Sequence, residues 1–256
     1  MDTTILVCMC IASFLAGFVD AIVGGGGLIQ LPIGIVLLPQ KPINVVVATL
    51  KLPAFFGTGF AAYQYAQKNN TNWRLLGWMM PLAAVAALCG SQLLTVVHNN
   101  FMKPILLVVL VLVAIYTFTK KDFGSAEQLP PSTGKGFKWK AMAITLIIGF
   151  YDGFIGPGTG SFLILAFITI LGYDFLHASA TAKLINLATN CGSIVLFILK
   201  GKIWWALAIP MAAANSAGGI LGAYLAISKG NTFIRKVFLV VVTATLLRFG
   251  YDVFVH

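Results

Sequence analysis

Residues 17–29, GFVDAIVGGGGLI, set an aspartate and four consecutive glycines inside an otherwise apolar run. A helix cannot hold across four glycines, each about 1 kcal/mol worse than alanine in a helix interior. The run is therefore expected to break after Asp20 and restart near Leu28. Residues 149–162, GFYDGFIGPGTGSF, repeat the pattern 132 positions later, with Pro157 between two glycines as the breaker and a restart near Ser161. What surrounds these two breaks decides the fold.

The surroundings are hydrocarbon-like. Of 256 residues, 59% are hydrophobic and only 9% charged, where a soluble domain carries about a quarter charged. Runs such as PILLVVLVLVAIYTF (104–118) and KVFLVVVTATLLRFGYDVFV (236–255) read as transmembrane helices. The chain is an all-α polytopic membrane protein. Its net charge of +10 sits in the short connections between runs, as the positive-inside rule and anionic headgroups require. A nucleic-acid partner would need a soluble basic surface, and there is none. The four cysteines match no metal spacing and are expected as small buried hydrophobes. No metal or cofactor is implied. The opening MDTTILVCMC lacks a basic flank and a cleavage signal, so the first run is expected to be retained as a helix.

The 132-residue shift extends well beyond the breaks. Without a gap it pairs ATLKL (48–52) with ATAKL (180–184), Lys68 with Lys200, Trp73 with Trp205, Gly90 with Gly222 and Phe101 with Phe233. The expectation is two homologous halves, 1–119 and 141–256, joined by a polar basic linker at 120–140. Each half carries five apolar segments, near 4–23, 27–39, 44–66, 75–97 and 104–119, then 141–156, 160–172, 177–199, 203–227 and 234–255. The second segment of each is short. Leu28 to Pro39 spans about 18 Å of helix against a hydrocarbon core of about 30 Å. Two arrangements follow. The first two segments form a hairpin that returns to its starting side, and the halves are inverted, or they form one broken helix and the halves are parallel. Basic residues divide ten to four between the membrane faces in the hairpin arrangement and nine to five in the other. The sharper division favours the inverted repeat with the N-terminus outside.

Four intramembrane charges fall at matched positions: Asp20 and Lys51, Asp152 and Lys183. Each costs about 2.5–3.5 kcal/mol to insert, so a role is expected of it. One role is structural, with Asp20 pairing Lys51 and Asp152 pairing Lys183 as staples. The other is functional. The restarting helices offer unpaired N–H groups at Gly25, Gly26 and Gly27 and at Gly158, Thr159 and Gly160, and such ends suit an anion. In KLINLATNCGS (183–193), Lys183, Asn186, Asn190 and Ser193 form one helical stripe. The first half offers a weaker version in Lys51, Ala54, Thr58 and Ala61. Lysines supply charge and carboxamides supply donors for oxygen atoms. Asn186 and Asn190 serve equally well as interhelical glue. Asp20 and Asp152 either balance the lysines when the site is empty or carry a proton.

GFVDAIVGGGGLI, ATLKL, GFYDGFIGPGTGSF and ATAKLINLATNCGSIVLFILKGKI together resemble the sulfite exporter TauE/SafE family of membrane transporters, most of all its bacterial inner-membrane branch. The resemblance covers essentially the whole chain, and the paired aspartate–glycine motifs are its most specific part. It implies transport of small sulfur-containing or organic anions. Pro53 and Ala54 stand where the second half has Ile185 and Asn186, which argues against equal roles for the halves.

The reading that follows is a secondary transporter of small anions, sulfite, organosulfur or carboxylate. It works by alternating access in the bacterial inner membrane, with proton coupling at the aspartates. Its partners are the anion, the bilayer and, as an assembly, a second copy of the chain. The rivals are a passive anion channel and a structural membrane protein whose ion pairs only staple helices. An enzyme is not expected, since no nucleophile–base or metal motif is present. Neither is an ATPase, since the phosphate-binding loop is absent.

Overall fold

The computed structural model describes residues 2–68, 71–97 and 135–255. The apolar segment expected at 104–119, most of the linker, Phe101 and Lys103 lie outside the described residues. Within them the chain is helical, without strands: α1 Thr3–Val23, α2 Gly26–Leu37, α3 Ile43–Lys68, α4 Trp73–Val96, α5 Lys135–Phe154, α6 Thr159–Leu171, α7 Phe175–Leu199 and α8 Trp205–Val255. Helix α8 bends at Gly230, the one residue in it with non-helical dihedrals. Among the described residues, five helices are long and apolar enough to cross a bilayer: α1, α3, α4, α7 and Trp205–Gly230 of α8. Their outward faces carry residues such as Ile11, Leu199 and Ile209, suited to lipid. The chain is a multi-pass membrane protein.

Both breaks fall as expected, two residues earlier than the glycine penalty suggests, because α2 begins at Gly26 and α6 at Thr159. First-turn N–H groups need no intrahelical partner, so glycine and threonine are tolerated there. Gly24 ends α1 at φ 77, donating its N–H to the Asp20 carbonyl at 2.8 Å. Only glycine adopts that left-handed turn without strain. Helix α5 starts at Lys135, inside the stretch expected as linker. Its first residues, KGFKWK, mix three lysines with Gly136 and two aromatics, so neither hydropathy nor helix propensity assigns them to the helix.

Contacts settle the hairpin question. Helix α2 runs back along α1, with Gly26 against Ala16 and Gly34 near Met9. Beyond α2, Lys41 lies over the Trp204 ring at 4.6 Å, at the start of α8. Helices α1 and α8 are parallel, since Phe14 meets Gly218 and Phe18 meets Gly222. The first hairpin thus returns to the end it left. The second does the same at the other end. Helices α4 and α5 are parallel (Ala83 by Gly149, Ala87 by Gly153), and Lys138 lies 4.9 Å from the Trp78 ring. After α6, Tyr173 comes back beside Phe137, ring centroids 6.1 Å apart. The two hairpins therefore enter from opposite ends, and their glycine turns touch in the middle. Ser161 donates from its N–H to the Gly24 carbonyl (3.1 Å) and from its hydroxyl to the Val23 carbonyl (2.8 Å). A Cβ on Gly24 would lie 2.2 Å from the Gly160 carbonyl carbon, so the backbones meet without side chains between them.

The cysteines differ from expectation. Cys8, Cys89 and Cys191 are exposed and Cys10 is half-buried. They lie on outward stripes, and in a membrane protein an apolar residue is as content against lipid as in the core.

Candidate functional site

The four intramembrane charges are paired, but across the hairpins and not within each half. Lys51 of α3 donates to Asp152 of α5, at 2.7 Å to Oδ2 and 2.8 Å to the backbone carbonyl. Lys183 of α7 donates to Asp20 of α1, at 3.0 Å to Oδ2 and to its carbonyl oxygen as well. This corrects the expected pairing of Asp20 with Lys51 and Asp152 with Lys183. Sequence proximity favoured the local partners. The antiparallel entry of the hairpins brings each broken helix end beside the long helix of the other half. Each ammonium thus meets a carboxylate and a carbonyl near the C-terminal end of a helix, where the dipole also favours a cation.

Around the crossing lies a cavity of about 70 Å³ for the centre of a water-sized sphere. One water needs about 10–15 Å³ on that measure, so the space suits a few waters or one small anion. Its walls include Asp20, Gly26 and Gly27 from the first hairpin, and Asp152, Gly158, Thr159 and Gly160 from the second. Lys51, Ala54 and Thr58 of α3 and Asn186 and Asn190 of α7 complete the expected set. The N-termini of α2 and α6 both open on this space.

Lys183 and Gly25 are absent from the walls. Lys183 is 0% exposed and reaches the site only through Asp20. Thr58 donates to the same Asp20 Oδ2 at 3.2 Å. Asn190 Nδ2 lies 3.4 Å from Asn186 Oδ1, so the two carboxamides of the stripe support each other. Ser193, at the end of that stripe, is buried away from the cavity, and its hydroxyl has no partner among the described residues.

Two polar wall residues were not anticipated, Gln30 of α2 and Asn215 of α8. Gln30 is the one polar side chain in LIQLPIGIVL (28–37), a signal that was present. Asn215 had none, since its counterpart under the 132-residue shift is Ala83. Tyr151 Oη donates to the Pro157 carbonyl at 2.6 Å, and Tyr65 Oη to the Ala21 carbonyl at 3.1 Å. Each phenol satisfies a carbonyl released near a break.

Residues 9–249 match the sulfite exporter TauE/SafE family. A probable membrane transporter protein, ORF9, of Sinorhizobium sp. is 34% identical over 242 residues, 94% of this chain and 91% of its own length. The probable membrane transporter protein YfcA of Escherichia coli K12 is 32% identical over 240 residues, 94% of this chain and 87% of that protein. A probable membrane transporter protein of Haemophilus influenzae is 31% identical over 239 residues, 93% and 92% of the two chains. No solved structure matches. The crossed pairs, the opposed hairpins and the cavity at their crossing thus occur in a chain that belongs to the sulfite exporter TauE/SafE family of membrane transporters.

Proposed function

We propose that the cavity is the substrate site of a secondary transporter for small anions, sulfite-like, sulfonate or carboxylate. One observation carries this reading: a small cavity receives two helix N-termini from opposite directions and has one lysine in its wall. The N-termini supply N–H donors and partial positive charge for oxygen atoms, and Asn186 supplies amide donors.

Lys51 is the lysine on the substrate side, and its charge is matched by Asp152 in the empty site. A proton on Asp152 would free Lys51 to attract an anion, so proton and anion would bind together. Lys183 acts at one remove, holding Asp20 in place. Alternating access then consists of rocking the two hairpins about their shared glycine crossing.

We also read the hairpins as inverted copies of one unit. The 132-residue shift carries left-handed Gly24 (φ 77) onto left-handed Gly156 (φ 91). It carries the approach of Gly90 to the Phe150 carbonyl onto that of Gly222 to the Phe18 carbonyl. The positive-inside rule puts the end bearing Lys41, Lys200 and Lys202 outside.

The test is sulfite and sulfonate flux in proteoliposomes with and without a pH gradient. Saturable, counterflowing uptake driven by the gradient supports the reading. Flux linear in concentration, without counterflow, would make the protein a channel. No anion flux from folded protein would leave only a structural role for the pairs.

A further inference from the structure

The part of the wall formed by Gln30 and Asn215 holds a hydrogen-bond arrangement that the anion reading does not use. Ser13 of α1 is fully buried and lies behind the cavity, not in its wall. Its hydroxyl donates to the Met211 carbonyl at 2.9 Å. That one proton is then spent, and the oxygen can only accept. It accepts from Gln30 Nε2 at 3.1 Å and from Asn215 Nδ2 at 3.3 Å. Asn215 Nδ2 also donates to the Ser13 backbone carbonyl at 2.9 Å, which holds its carboxamide in one orientation. A Cβ on Gly57 would sit 1.9 Å from Asn215 Oδ1, so α3 leaves room for the carboxamide only by carrying a glycine there.

Gln30 is turned by this arrangement. Its amide nitrogen faces Ser13, away from the cavity, so its carbonyl oxygen is the end left at the wall. Flipping the carboxamide would set oxygen against an oxygen with no proton to give. No hydrogen bond among the described residues reaches Gln30 Oε1, and the residue is only 3% exposed. A ligand that displaces water from such a buried acceptor without supplying a donor loses affinity. Across the 132-residue shift, position 30 corresponds to Phe162, so this acceptor belongs to one wall only.

Resting on the anion reading above, we infer that Gln30 is a specificity-determining residue and Ser13 its positioning residue. Together they select a small oxyanion that brings its own hydrogen-bond donor, a hydroxyl, an amino group or a retained acid proton. The anionic end meets the helix N-termini and Lys51, and the donor meets Gln30 Oε1. Gln30 lies four residues into α2 from Gly26, about 6 Å along the axis. Anion and donor therefore belong to one small molecule.

The experiment compares binding of ethanesulfonate with 2-hydroxyethanesulfonate, and of acetate with glycolate, to purified full-length protein by calorimetry at pH 7.5. All four are ionised there, and each pair differs by one hydroxyl. The hydroxylated member is expected to bind about tenfold more tightly in at least one pair. Gln30→Met should erase that ratio, the plain anion gaining affinity as the unmatched acceptor is removed, and Ser13→Ala should reduce it in part. A purely structural role would lower affinity for both members alike. Equal binding of both members by the wild type, or a ratio unchanged in Gln30→Met, overturns the inference and leaves anion transport standing. Binding of none of the four overturns the anion reading and this inference with it.

Discussion

The two ion pairs use the same groups in the same crossed geometry, yet their surroundings separate them. Lys51–Asp152 lies in the cavity wall, with both partners reachable from it. Lys183–Asp20 is sealed on the lysine side, and Thr58 gives Asp20 a further donor. Removing Asp20 leaves Lys183, which is 0% exposed, with neither counter-ion nor solvent, at a cost of about 3–5 kcal/mol. At the cavity pair, water or a proton takes up the loss. On the proposed reading, the same chemistry makes a staple in one place and a switch in the other.

That contrast can be broken most directly at Asp20. Asp20→Ala strands the sealed Lys183 ammonium and should destabilise the fold by about 3–5 kcal/mol, seen as a large fall in thermal midpoint in detergent. Lys183→Met with Asp20→Asn should recover most of it, because no charge is then left alone. The double-mutant cycle measures the coupling. An Asp20→Ala protein as stable as wild type would erase the distinction between the pairs.

Lys51 tests the opposite claim. Lys51→Ala should leave a folded, monodisperse protein whose saturable anion flux falls at least about tenfold, the equivalent of 1.4 kcal/mol. Asp152→Asn should keep downhill flux but lose the response to an imposed pH gradient. Asp20→Asn, by contrast, should keep that response in whatever fraction folds. Flux that follows the gradient equally in both aspartate variants would assign the proton elsewhere.

Packing around the pairs gives smaller effects. A Cβ on Gly153, one residue after Asp152, would sit 1.9 Å from the Ala87 carbonyl oxygen, forcing α4 from α5. Gly153→Ala should cost about 1–3 kcal/mol. At Gly77 nothing lies within 4 Å, so Gly77→Ala should be neutral or slightly stabilising. Thr58→Val removes one hydrogen bond from Asp20 and should cost about 1 kcal/mol in unfolding experiments.

Much of this was legible beforehand because intramembrane chemistry is sparse. Asp20, Asp152, Lys51, Asn186 and Asn190 stand out against hydrocarbon, and all of them reach the cavity. Lys183 stood out equally and does not, because polarity says that a residue has a reason to be there without saying which side of its partner it occupies. Gln30 was visible but passed over. Asn215 and Ser13 lie within small-residue stretches that read as ordinary helix packing. The cysteines went astray for a related reason: hydropathy does not separate a lipid-facing residue from a core one.

By itself, the sequence determined that the chain is helical and membrane-spanning and that it breaks at two glycine motifs. It also marked which charges needed partners. Those are local properties, decided by hydropathy, glycine's backbone entropy and the cost of unpaired groups in hydrocarbon. Only the tertiary structure decided that the hairpins enter from opposite ends, that the lysines cross to the distant aspartates, and that one lysine faces the cavity while the other is sealed. Pairing energy depends on distance and burial, and both arise when helices far apart in sequence pack together.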